Sequence, residues 1–202
     1  MRWWSAPVAA LLLAGCVAQS NGKPESWYQQ HGRIVPAGTS RVWVCHGFGC
    51  AYRTVVTFSP RDIAVMRKIM GKPRTAAEER RNIRRLIAWA EKRVAPEAGS
   101  ANDVAGLDIG NARVRGQMDC LDEATNTTSY LLIAERNGLL RHHTVAKPVA
   151  RGFFLDGRYP HATAVINDGG QAFAVDSWPM ANGELPDILP LEEWFARYPF
   201  LE

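Results

Sequence analysis

Three residues of this chain have the types and the order needed for thiol chemistry on an acyl group: Cys120, His161 and Asp176. Cys120 stands in the stretch Gly116-Gln117-Met118-Asp119-Cys120-Leu121-Asp122-Glu123, where a loop ends and a helix is expected to begin. In such chemistry a thiolate attacks the acyl carbon. An imidazole takes the thiol proton and returns it to the leaving amine, and a carboxylate fixes the imidazole tautomer and stabilises its charged form. The tetrahedral intermediate needs an oxyanion hole. The backbone N–H of Cys120 is the natural donor, and the Gln117 side chain is a second candidate on proximity alone.

The elements that must position these residues are readable. A helix is expected from Cys120 to about Asn137, with Ala124, Leu131, Leu132 and Ala134 apolar and Gly138 as its stop. Asp119 is a good N-cap, with Asp122 three residues on. The first-turn position favours a thiolate at Cys120 through the helix dipole. The neighbouring acids oppose it, so a base is still required. Pro160-His161-Ala162-Thr163-Ala164-Val165-Ile166 reads as a strand, Asn167-Asp168-Gly169-Gly170 as a turn, and Gln171 to Trp178 as the return strand. Pairing Asn167 with Gly170 puts His161 directly opposite Asp176, with Cβ atoms about 4.5–5.5 Å apart on one face.

Other residues compete for roles. His142 and His143 are rival bases, but neither has a carboxylate at a fixed register. Glu123 and Asn126, one turn apart, either line the site or serve as hydrogen-bonding helix surface. Trp178, just past Asp176, either walls the cleft or packs in the core, and Trp194 reads as core packing in a short closing helix over Pro190-Leu191-Glu192-Glu193-Trp194-Phe195.

The remaining cysteines belong elsewhere. Cys45 and Cys50 flank His46-Gly47-Phe48-Gly49, between runs rich in β-branched and aromatic residues. This predicts a β-hairpin with a four-residue loop, Cys45 facing Cys50 and able to bond to it. A metal site using His46, or two free thiols, are the alternatives. Three ligands within six residues and no distant fourth make a poor zinc signature. Neither a metal nor a cofactor is expected, and the glycine pairs are turn chemistry, not phosphate loops.

Between hairpin and Cys120, Ser59-Pro60-Arg61-Asp62 opens a helix that Gly71 stops, with Ile63, Met66, Ile69 and Met70 apolar. Thr75-Ala76-Ala77-Glu78 opens a second, through about Val94, with Arg80, Arg81, Arg84 and Arg85 read as a solvated face. A loop is expected from Pro96 to Asp103.

The N-terminus reads as an address. Residues 1–15 carry Arg2 and a short apolar run from Ala6 to Leu13, too short for a permanent span. Leu13-Ala14-Gly15-Cys16 looks like the lipobox of a bacterial lipoprotein signal, with cleavage before Cys16 and lipid on its thiol; an ordinary secretory signal is the alternative. Residues 16–26 then form a tether and 27–202 a single α+β domain. This implies lipid anchoring at the cell envelope, at an outer membrane facing the periplasm if the cell is Gram-negative, where disulfides persist. Cys120 is then the odd thiol. The chain has 202 residues, 47% hydrophobic and 22% charged, with net charge +4 spread along its length, which is globular composition and no nucleic-acid footprint.

A cysteine at a helix start, a histidine on one strand and an aspartate on the next resembles the transglutaminase-like branch of the papain-like cysteine hydrolases. Asp119-Cys120, Pro160-His161-Ala162-Thr163-Ala164-Val165 and Val175-Asp176-Ser177-Trp178 carry the resemblance, within Gly116 to Trp178. It implies a catalytic helix packed on an antiparallel sheet, here with an added N-terminal hairpin and two helices. It also implies thiol hydrolysis or acyl transfer on peptide or peptidoglycan amides. The polar helix start, Leu121-Asp122-Glu123-Ala124-Thr125-Asn126, and the hairpin depart from the family. The competing readings are a non-catalytic lipoprotein of the same fold that binds a protein partner or peptidoglycan, and a redox role for Cys120.

Overall fold

The computed structural model describes residues 22–31, 38–106, 108–152 and 160–197. Cys16, the leader and most of the tether lie outside them. Pro24, at the end of the expected tether, already starts helix α1 (Pro24–Gln30), which buries Trp27 and Tyr28. The backbone N–H of Lys147 ties its approach by donating to Gly22 O at 3.1 Å.

Arg41–His46 (β1) and Tyr52–Thr57 (β2) pair antiparallel, with Cys45 opposite Arg53 and His46 opposite Tyr52. The loop is therefore 47–51, one residue longer and shifted from the expected one. Cys45 on the strand bonds to Cys50 in the loop, not across the ladder. The reason is backbone conformation: Gly47, Phe48, Gly49 and Cys50 have φ of 84°, 70°, 61° and 58°. Such left-handed residues cost about 1–2 kcal/mol each when they carry a Cβ. Loop closure by the disulfide offsets this, contributing about 2 kcal/mol in the chain-entropy picture.

Helix α2 (Pro60–Met70) starts in a capping box between Ser59 and Asp62 and buries Met66 and Met70. Helix α3 (Ala76–Ala98) is capped by the Thr75 side chain, which accepts the Glu78 N–H. It runs beyond Val94, through Pro96. Proline removes one helical bond, but the N–H groups of Gly99 and Ser100 both reach Ala95 O, and Gly99 at φ 76° ends the helix. Its arginines are not a plain solvated face. Arg80 lies 3.9 Å over the Phe173 ring and 3.5 Å from Asp168, and Arg84 donates to Pro186 O at 2.7 Å. They stitch α3 to the sheet.

Helix α4 (Cys120–Arg136) is the central element and is buried nearly all round, packed between β1 and the larger sheet. Asp119 and Asp122 cap it reciprocally, and Gly138 follows at φ 66°. Tyr130, Leu131 and Ile133 share one core with Val42, Val44, Leu86, Ile87, Ile166 and Val175. A helix buried on every face must satisfy its polar side chains internally. Thr125, Thr128 and Ser129 donate to carbonyls one turn back, and Asn126 bonds both backbone groups of Cys45.

The larger sheet is an antiparallel meander of β3 (Thr144–Arg151), β4 (His161–Asn167), β5 (Ala172–Asp176) and β6 (Asp187–Pro190), followed by α5 (Leu191–Ala196). Ala164 and Ile166 of β4 face the α4 core, while Val165 packs with Ala174, Leu189 and Trp194. In the β4–β5 hairpin Asn167 pairs with Ala172 and Ala164 with Val175. The turn is 168–171, and the expected register is off by two residues. Asp168 sets this turn, its Oδ1 accepting the N–H groups of Gly170 and Gln171 at 3.1 and 2.8 Å. A two-residue slip preserves the faces, so His161 and Asp176 still share one, as diagonal neighbours.

Candidate active site

Cys120 is the first residue of α4, free as a thiol and 7% exposed. It packs in a small apolar cluster with Trp27, Ala124, Ala162 and Trp178. Its Sγ lies 3.7 Å from Pro160 O, to which the thiol donates. The backbone N–H of Ala162 also interacts with the sulfur. The sulfur thus meets the main chain on both sides of His161. Burial pushes the Cys120 thiol up to about 12, the Asp119 carboxylate adds to the rise, and the Ala162 N–H works against it. The helix-start position does not outweigh these effects, and the resting thiol keeps its proton.

His161 and Asp176 form a buried pair, with Nε2 and Oδ2 separated by 2.7 Å. Asp176 Oδ2 also accepts the Trp194 indole N–H at 2.7 Å. A carboxylate accepts only, so Nε2 carries the proton on this side, and in a neutral imidazole the lone pair is then on Nδ1. That Nδ1 is buried and has no hydrogen-bond partner. The imidazole is walled by Trp178 and Trp194, ring centroids 4.6 and 5.3 Å away. The arrangement is a buried imidazole held by Asp176 through Nε2, its Nδ1 without a hydrogen-bond partner, and a buried thiol bonded to the carbonyl of Pro160, the residue before His161.

Beneath the helix start lies a set of buried acids. Ser177, next to Asp176, donates to Glu123 Oε2 at 2.7 Å and shares a 2.9 Å bond with Thr127. This chain braces the end of β5 against α4. Burial, with Glu91 and Asp103 nearby, raises Glu123 well above the usual carboxylate range. Burial likewise brings Glu91 to about 8 and Asp103 to about 7. Asp103 accepts the Met118 N–H at 2.6 Å and so anchors the loop before Cys120.

The other residues singled out above lie elsewhere. The Gln117 amide is engaged elsewhere: Oε1 accepts from Val104 N–H and Asn111 Nδ2, and Nε2 donates to Asn102 O at 2.8 Å. Its geometry offers no support for an oxyanion role. His143 is buried against Glu79, Nδ1 to Oε2 2.8 Å, and accepts from Arg80 at Nε2. His142 bonds Pro73 O through Nε2. Neither histidine touches Cys120. Glu123 and Asn126 are internal hydrogen-bonding residues. His46 is held by the Gly116 N–H at Nδ1 and by Thr54 at Nε2. Cys45, Cys50 and Asp122 lie close enough to share a metal ion, but both sulfurs are spent in the disulfide.

Two contributors were not visible beforehand. Trp194 reaches Asp176 through tertiary packing of α5, and nothing in its local sequence marks that bond. Trp27 is the first residue of the expected domain, next to the tether, and it packs with Cys120 and donates to Thr125 Oγ1 at 2.9 Å. A tryptophan-tyrosine pair in a polar segment was the available signal. No family model, no curated protein and no solved structure matches this chain.

Proposed function

We propose that this chain is a cysteine hydrolase of amide bonds, a peptidase or amidase with acyl transfer as the related outcome, using Cys120 as nucleophile, His161 as base and Asp176 as its orienting carboxylate. The observation that carries this reading is the buried His161–Asp176 pair at 2.7 Å, with the imidazole Nδ1 left without a partner. A buried polar nitrogen without a bond is costly, and a base nitrogen awaiting a proton is a functional reason for one. His161 Nδ1 takes the thiol proton as the sulfur attacks, forming the C–S bond. The same proton then passes to the leaving amine, and water, deprotonated at Nδ1, releases the acyl group. The Cys120 backbone N–H, at the helix start, serves the oxyanion. The lipobox reading places the domain at the cell envelope on a lipid carried by Cys16, with peptide or peptidoglycan amides as substrates.

The competing reading is a non-catalytic lipoprotein of this fold that binds a partner or peptidoglycan. It draws on the thiol's bond to Pro160 O in place of one to His161. Incubation with peptide libraries and muropeptides, read by mass spectrometry, separates the two. The hydrolase reading expects products one water heavier in sum than the substrate, absent with Cys120→Ala and His161→Ala. Cleavage that survives Cys120→Ala would refute it.

A further inference from the structure

We propose that the disulfide-closed turn 47–50 is the positioning clamp of the Cys120 end of α4, an amide nest whose occupants are the chain's own Asp119 and Asp122. This rests on reading Cys120 as the nucleophile.

Residues 47–50 form a tight turn, all at positive φ, and successive N–H groups in a turn can make an anion-binding concavity. Here the N–H groups of Phe48 and Cys50 donate to Asp122 Oδ2 and Oδ1 at 2.8 and 2.5 Å, and that of Gly49 donates to Asp119 Oδ2 at 3.0 Å. These are the two acids that cap the helix on either side of Cys120. Further bonds converge on the same stretch. Gly47 N–H donates to Gln117 O at 2.6 Å, Gly116 N–H to His46 Nδ1, and Arg113 N–H to Gly47 O. One turn along, Asn126 holds both the N–H and the C=O of Cys45 at 2.7 and 2.8 Å. Every one of these bonds joins the hairpin end to residues 113–126, with Cys120 between them.

The disulfide ties Cys50, at φ 58°, to β1, in a backbone region that non-glycine residues seldom occupy. Relaxation there would turn its N–H, and that of Gly49, away from the acids. Burial and the neighbouring Asp119 push Asp122 well above the usual carboxylate range, and the Cys50 and Phe48 N–H groups work against that rise. Cys45, Cys50 and Asp122 are therefore positioning residues: they act on Cys120 through the helix start and touch no substrate.

The test compares the parent full chain with Cys45→Ser/Cys50→Ser and with Asp122→Asn, the disulfide intact in the latter. Amide hydrogen exchange is read by mass spectrometry, and iodoacetamide labelling of Cys120 is followed against pH with and without His161→Ala. In the double variant, exchange at 118–124 rises by about 100-fold while β4 and β5 change by less than about threefold. Asp122→Asn, whose amide accepts at one oxygen only, speeds exchange at Phe48 or Cys50 by about tenfold and decides the matter if the double variant does not fold. In both variants the pH profile of labelling shifts and its dependence on His161 collapses. Exchange at 118–124 within about threefold of the parent in both variants, with an unchanged pH profile, would overturn the clamp. If labelling of the parent is indifferent to His161→Ala, the hydrolase reading fails, and the exchange data still judge the clamp by themselves.

Discussion

Trp194 donates its indole N–H to Asp176 Oδ2 at 2.7 Å, the same oxygen that receives His161 Nε2–H at 2.7 Å. One carboxylate oxygen thus serves two donors from different elements, and α5 is tied to the histidine through it. Trp194→Phe keeps most of the ring and removes the donor. Bonds to charged groups contribute about 1.5–3 kcal/mol, so urea unfolding should show a loss of that size. Unchanged stability would mean that the indole bond does not hold Asp176.

Trp27 is expected to shield the thiol. It shares the apolar cluster of Cys120, and burial is the first cause of that thiol's rise to about 12. Trp27→Ala should lower the thiol's ionisation pH toward its ordinary value. A one-unit fall is about tenfold more thiolate, read as about tenfold faster iodoacetamide labelling at pH 9. The same change costs about 3–5 kcal/mol of stability as a core truncation. Labelling no faster than in the parent would show that Trp27 does not cover Cys120.

The buried acids make stability fall with pH above neutrality. Glu91 and Asp103 have folded values near 8 and 7, raised by burial above those of the unfolded chain. A raised group stabilises fully below its unfolded value, and that contribution is lost as pH rises through the folded value. Between pH 7 and 8.5 the unfolded chain holds fewer protons, and stability drops with a slope of up to about 1.4 kcal/mol per pH unit per retained proton. Two other sets of groups act at lower pH. His31 and His46, lowered by burial, act below their ordinary range. Asp62, Glu79 and Asp168, held low by their hydrogen-bond partners against burial, act lower still. Glu91→Gln should flatten the profile in this window, as measured by urea unfolding at several pH values. A parent whose stability is flat from pH 7 to 8.5 would contradict the protonated state of Glu91.

Asn126 holds the hairpin to α4 by two buried bonds to Cys45. Asn126→Ala leaves a buried N–H and a buried C=O unpaired, at about 1–3 kcal/mol each. A fall of about 2–5 kcal/mol in unfolding free energy is expected, and one under about 1 kcal/mol would mean that water satisfies both groups.

Local rules carried most of the elements. Ser59 with Asp62 and Asp119 with Asp122 form the capping boxes that start α2 and α4, and Gly71 and Gly138 follow their ends. They failed where backbone conformation or tertiary contact decided. Nothing local says that Cys50 turns left-handed, so the sequence predicts a loop one residue short, with the cysteines facing each other on paired strands. The β4–β5 turn lies two residues off the predicted pairing, Asn167 meeting Ala172, and the side chains of both Asn167 and Asp168 accept its N–H groups. The error was an even number of residues, and this is why His161 and Asp176 still meet. Proximity along the chain is the one local signal for Gln117, and its amide bonds to Asn102, Val104 and Asn111 are made in three dimensions. The polar start of α4 is buried because the hairpin supplies partners for Asp122 and Asn126, and such partners are visible only in three dimensions.

The pairing of Cys120 with His161 is the central claim, and one measurement addresses it most directly. The parent chain and His161→Ala are treated with iodoacetamide at pH 7, and modification of Cys120 is timed by peptide mass. A resting thiol pushed to about 12 reacts slowly by itself at this pH. General-base help is expected to make the parent about 100-fold faster than the variant. Equal, slow rates in both, rising only in strong alkali, would contradict the account and leave Cys120 a buried core residue.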